Sequence, residues 1–138
     1  MTGLDTNVLA RYYVDDAADD QAQRQRLVAR RLVESGRPLF VCKTAILELE
    51  WVLRGYYGFA WDEIATVFAH LLALPQVTVE DRTAVERAVS NASAGLDFAD
   101  ALHHASCADC ERLVTFDDRR FARRAAKLAL APPVALPG

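Results

Sequence analysis

Residues 37–55 read Arg37-Pro-Leu-Phe-Val-Cys-Lys-Thr-Ala-Ile-Leu-Glu-Leu-Glu-Trp-Val-Leu-Arg-Gly55. Leu39 to Cys42 is a short apolar run bounded by Pro38 and Lys43, the pattern of a strand buried in a parallel sheet. Thr44 then stands as a candidate helix cap, and Ile46, Leu47, Leu49, Trp51, Val52 and Leu53 carry helical spacing as far as Arg54 and Gly55. The same switch recurs along the chain. Thr2 to Leu4 predicts a small buried strand that runs through the polar Asp5-Thr6-Asn7 into a helix carrying Val8, Leu9, Tyr12 and Tyr13. Val77 to Val79 predicts a third strand and Leu113 to Phe116 a fourth. Helices are predicted over Gln21–Glu34, Trp61–Leu74, Thr83–Val89, Asp97–Ala108 and Asp118–Leu128, with loops at 15–20 and 90–95. Strands separated by helices of about 10–15 residues need crossover connections, so the fold class is α/β with a parallel sheet.

Composition bounds the rest. A chain of 138 residues is one domain's worth, and 52% hydrophobic with 25% charged residues is the make-up of a globular protein. The formal net charge of −3 argues mildly against a nucleic-acid partner. The 16 basic residues include only two lysines, Lys43 and Lys127, a bias that favours bidentate recognition of phosphate or carboxylate, although codon usage explains it equally. Cys42, Cys107 and Cys110 are too few for a disulfide framework and suit a reducing cytoplasm. Cys107 and Cys110 form one C-x-x-C beside His103 and His104, short of the second pair that a zinc site needs, and read as small helix-packing residues. Asp5 and Arg11 interrupt the first apolar stretch, so it is not a signal peptide, and no apolar run is long enough to span a membrane.

Parallel α/β sheets place their chemistry at the carboxyl ends of strands. Asp5 follows the first strand, Glu48 lies a turn into the helix after the second, and Asp117 ends the fourth. Glu80 and Asp81 follow the third, but read as the exposed start of a helix. Asp97 and Asp100 open the helix that leads to the fourth strand, spaced to share one face. If these ends converge, four or five carboxylates share a pocket. Two carboxylates about 4 Å apart repel by about 4 kcal/mol at an effective dielectric near 20, so such a cluster needs a cation. All-oxygen ligation favours Mg²⁺ or Mn²⁺, ions that orient a water, lower its pKa and shield the charge on an attacked phosphate.

Each acid has a plainer role open to it. Asp5 fits a helix cap, and Asp97 fits a cap with Asp100 three residues on. Of Asp117 and Asp118, one reads as a ligand and the other as the cap of the last helix. Helical spacing groups Glu48 with Ala45, Trp51 and Val52 on the buried side, where an acid needs a partner or a metal, and leaves Glu50 solvated. Asp100 has His103 and His104 as same-face neighbours. In the last helix, Arg120 with Arg123 or Arg124 lies on one face, able to hold phosphates or simply to face solvent. Tyr12, Tyr13, Tyr56, Tyr57 and Trp61 suit base stacking or the packing of a loop or dimer surface.

The ordered blocks Leu4-Asp-Thr-Asn-Val-Leu9, Glu48-Leu-Glu-Trp-Val-Leu53, Asp97-Phe-Ala-Asp-Ala101 and Thr115-Phe-Asp117 resemble PIN-domain ribonucleases, and within them the VapC toxins of type II toxin–antitoxin pairs. The resemblance runs from about residue 2 to about residue 128. It implies a three-layer α/β/α fold with a central, mostly parallel sheet of four or five short strands, a nuclease domain over 1–131 and a Pro-rich tail at 132–138. It also implies an Mg²⁺- or Mn²⁺-dependent endoribonuclease. Asp5, Glu48, Asp100 and Asp117 match the acidic metal positions, with Asp97 and Asp118 as neighbouring alternatives, while Thr6, Asn7 and Thr115 match the polar positions beside them. A homodimer and a VapB-like antitoxin are the implied partners. A haloacid-dehalogenase-like phosphatase would need a second Asp at position 7, which is Asn; a PIN-like module that binds RNA or protein without cutting is the alternative reading. Setting the four metal-site acids aside leaves a charge of +1, so the acidity of the chain is concentrated where a cation is expected.

Overall fold

A computed structural model describes residues 1–138. The chain divides into two compact units, Met1–Arg82 and Thr83–Gly138. In the first, the three apolar triplets of the sequence pair as one parallel sheet in the order β1 (Thr2–Gly3), β2 (Leu39–Val41), β3 (Val77–Val79). Leu39 pairs with Thr2 on one side and Val77 on the other, which makes β2 the central strand. Two helices make each crossover: α1 (Thr6–Tyr13) and α2 (Asp20–Val33), then α3 (Lys43–Gly55) and α4 (Trp61–Ala73). Burial follows position in the sheet. Leu39 and Val41 are fully buried, and β3 turns Val77 and Val79 inward and Thr78 out. The predicted burial of the first strand is corrected: Thr2 and Gly3 form an exposed edge and only Leu4 is buried.

The phase of α3 also differs from the expected one. Ile46, Leu49, Glu50 and Leu53 form the buried stripe, so Glu50 is inside and Glu48 is exposed, with Trp51 62% exposed beside it. Both faces of the run Ile46–Leu53 carry large apolar residues, and periodicity alone therefore left the phase open. The packing resolves it: Ile46, Leu49 and Leu53 have zero exposure, and each is worth about 1.5–3 kcal/mol by burial. Glu50 survives among them because Arg54, one turn on, donates from Nε to its carboxylate at 2.9 Å. Thr44 does not cap α3. The helix starts at Lys43, whose backbone N–H donates to Glu80 Oε1 at 2.7 Å, while the Thr44 hydroxyl contacts Cys42 Sγ.

The second unit holds α5 (Arg82–Ser93, less its first residue), α6 (Phe98–Ser106), β4 (Leu113–Val114), a π-helical turn (Asp118–Ala122) running into α7 (Arg123–Lys127), and β5 (Val134–Ala135). β4 and β5 are parallel, Leu113 opposite Val134. The predicted loop at 90–95 is mostly the last turn of α5, because Ala84, Val85, Ala88 and Ala92 share its buried side. The expected tail supplies β5, and His104, fully buried, bonds from Nε2 to the Pro132 carbonyl oxygen at 2.9 Å. His104 is thus spent on that anchor and does not accompany Asp100. The helix ends before Cys107 and Cys110, so Cys110 is exposed instead of packing it, and no cysteine is in a disulfide. No helix is long and apolar enough to cross a membrane.

The α3 phase predicts the response to substitution. Leu49→Ala lowers unfolding free energy by about 2–5 kcal/mol in urea denaturation, whereas Glu48→Ala changes it by less than about 0.5 kcal/mol.

Candidate functional site

In the first unit the carboxyl end of β1 delivers Asp5 to the start of α1, where its Oδ1 accepts from the Thr6 backbone N–H at 2.8 Å. Asp5 is exposed and Thr6 is buried beneath it. Thr6 and Asn7 line a cavity of about 270 Å³ together with Glu48, Trp51 and Tyr56. The sequence blocks around Asp5 and Glu48, more than 40 positions apart, therefore meet across α1 and α3. Arg11 enters the same cavity and donates from Nη1 to the Tyr57 hydroxyl at 3.1 Å. Beyond β3, just ahead of the helix that starts at Arg82, the exposed Glu80 and Asp81 hold Lys43, Glu80 accepting from its backbone N–H at 2.7 Å and Asp81 by an ion pair of 2.9 Å.

In the second unit three acids interact. Asp97 caps α6, its Oδ2 accepting from the Asp100 backbone N–H at 3.3 Å. Asp117 caps the π-helical turn, its Oδ1 accepting from the Arg120 N–H at 2.9 Å, and its own N–H donates to Thr115 Oγ1 at 3.0 Å. Asp100 is half-buried on the first turn of α6. Burial, and then the carboxylates of Asp97 and Asp117, push its pKa above the ordinary Asp range against the opposing pull of His103 and Arg124. Asp118 takes no part in that crowding: its Oδ2 is bound by Arg123, at 2.9 Å from Nε and 2.8 Å from Nη2. Of the adjacent pair, Asp117 is the cap of the π-helical turn, while Asp118 belongs to an ion pair.

These donors suit a hard divalent cation. They are carboxylate oxygens, and the negative crowding on Asp100 has the sign that a cation relieves. No three His, Cys, Asp or Glu side chains are drawn together closely enough to hold a metal ion, so the expected convergence of four or five carboxylates in one pocket is not seen. Of the arginines, Arg123 is engaged by Asp118 and Arg124 donates from Nη1 to the Gly95 carbonyl oxygen at 3.2 Å, whereas Arg119 and Arg120 are exposed. Two exposed aromatics escaped sequence reasoning. Trp51 flanks Glu48, and Phe116, 90% exposed, stands between Thr115 and Asp117. An aromatic flanked by a hydroxyl residue and an acid at the end of a strand was the available signal for Phe116.

The PIN domain family pattern matches residues 4–127 of the chain. No curated protein matches it. PIN domains are generally nucleases that use divalent metal ions, which places hydrolysis of nucleic acid at the coarse level of activity.

The raised Asp100 pKa has a definite sign for stability. In metal-free protein the folded state keeps this proton above the unfolded value of about 3.9, so the stabilisation is complete below that pH and is lost as pH rises through the folded pKa. In chelator, carboxyl-carbon NMR titration places the Asp100 midpoint above that of a free Asp, and Asp117→Asn lowers it; an unchanged midpoint contradicts the crowding.

Proposed function

The chain belongs to the PIN domain family, and from that membership we propose that it is a VapC-type endoribonuclease, the toxin of a type II toxin–antitoxin pair. The proposal assigns the ion as Mg²⁺ or Mn²⁺ and its holders as Asp5, Glu48, Asp100 and Asp117. The observation that carries it is the crowding of Asp97 and Asp117 on the half-buried Asp100, an arrangement that costs a metal-free protein and serves a metal-loaded one. When bound, the divalent ion supplies activation of water and shielding of charge on the phosphate.

The chain's own residues have separate tasks. Thr115 fixes the backbone of Asp117, and Thr6 fixes Asp5 through its N–H. Asn7 sits in the cavity of Glu48, placed to orient a polar group there. Arg120 and Arg124 meet the phosphates flanking the scissile bond, Arg120 from an exposed position and Arg124 from its hold on Gly95, with Arg123 joining them only on release from Asp118. The nuclease domain is assigned to residues 1–131, with 132–138 following as the Pro-rich segment that supplies β5. A homodimer, a VapB-like antitoxin and a cytoplasmic setting complete the proposal; the support for them is the ordered resemblance of the acidic blocks.

Gel-resolved cleavage of structured RNA tests the assignment. Mg²⁺ or Mn²⁺ supports cleavage and EDTA abolishes it, and Asp5→Asn or Asp100→Asn each lowers the rate by about 10²–10³-fold. Cleavage that survives both chelation and Asp5→Asn contradicts the mechanism, and metal binding without turnover marks a non-catalytic binding module.

A further inference from the structure

The first unit carries another cavity, of about 310 Å³, walled by Tyr12, Tyr13, Arg26, Arg30, Thr66 and His70 from α1, α2 and α4. No carboxylate lines it. Burial pushes the Tyr13 phenol up, so it keeps its proton, and its hydroxyl is hydrogen-bonded with His70 Nδ1 at 2.8 Å. The Tyr12 ring stacks on His70, centroids 6.2 Å apart with 29° between planes. Thr66 donates its hydroxyl proton to the Asp62 carbonyl oxygen. Arg26 is held by Asp15, Nη1 to Oδ1 3.1 Å, yet its Nε is buried with no hydrogen-bond partner. Arg30 reaches only Glu34, at 3.9 Å between exposed side chains.

The walls therefore present two guanidinium groups, that of Arg26 paired with Asp15 and carrying a buried Nε without an acceptor, and an imidazole and a phenol hydrogen-bonded to each other. An exposed guanidinium such as that of Arg30, no closer than 3.9 Å to Glu34, fits a phosphate, and an aromatic face beside it fits a base. We propose that this cavity holds a phosphate of single-stranded RNA on Arg26 and Arg30, with Tyr12 and His70 against the neighbouring base. The inference rests on the reading of the substrate as RNA. Asp5 caps one end of α1 and the tyrosines close the other, about 12 Å away at about 1.5 Å per residue. The cavity is thus a contact for the strand away from Asp5, one that adds affinity without entering the chemistry.

Fluorescence anisotropy with a labelled 12-nucleotide RNA in EDTA, where cleavage is blocked, tests it alongside a cleavage assay in Mg²⁺. Arg30→Gln raises Kd by about fivefold at low salt and reduces the slope of log K against log salt by about 0.7, the value for one phosphate contact on a single strand. Arg26→Lys keeps the charge but removes Nε, and raises Kd with little change in slope. Unchanged thermal melting shows that the variants fold. Free uridine monophosphate competes only weakly, because the cavity takes the phosphate as part of a strand. Wild-type Kd and slope in both variants, with wild-type cleavage intact, overturn the inference and leave the RNA reading standing. Mononucleotide binding that RNA does not displace also overturns it. Failure of the wild-type protein to bind or cleave RNA removes the RNA reading and the inference together.

Discussion

Asp100 is half-buried at the start of α6, and burial together with the negative charges of Asp97 and Asp117 raises its pKa. Asp97 is fixed because it caps α6, and Asp117 because it caps the π-helical turn and takes its own backbone support from Thr115. Thr115 is fixed in turn by its N–H bond to the Ala135 carbonyl oxygen at 2.9 Å, where the chain continues beyond β4 alongside β5. Capping thus has a second consequence. The same hydrogen bonds that terminate the helices hold like charges near one another, a cost that caps alone would not require and that a cation offsets.

In the first unit a different constraint sets the candidate residues. Glu50 is buried among aliphatic side chains and Arg54 is more than half exposed, so the pair is partly screened and adds little net stability. The phase is set by Ile46, Leu49 and Leu53 packed inside, and it turns Glu48 and Trp51 outward beside Thr6 and Asn7. The family match covers residues 4–127 as a whole, and PIN domains generally act on nucleic acid with divalent ions.

Much of the architecture was legible because it rests on local patterning. β3 falls on the predicted Val77–Val79, and α4 ends within one residue of the expected Leu74. Misreadings arose where packing, not pattern, decides. The run Ile46–Leu53 is apolar on two faces, so only tertiary contacts choose Glu50 over Glu48 for the interior. β5 is two residues between prolines, too short for any periodicity, and exists through its pairing with β4. His104 resembles a ligand by its spacing from Asp100, but the Pro132 carbonyl that claims it lies 28 positions along the chain. The sequence offers Asp117 and Asp118 alike, and only the geometry shows that Arg123 pairs with Asp118.

The proposed metal site gives a divalent ion to the crowded carboxylates. Calorimetric titration of Mn²⁺ into metal-free protein, wild type against Asp100→Asn, tests it most directly. The expected result is saturable binding in the wild type that weakens by at least about tenfold, equivalent to about 1.4 kcal/mol, in the variant. Equal binding by the two proteins, or no binding by the wild type, would contradict it.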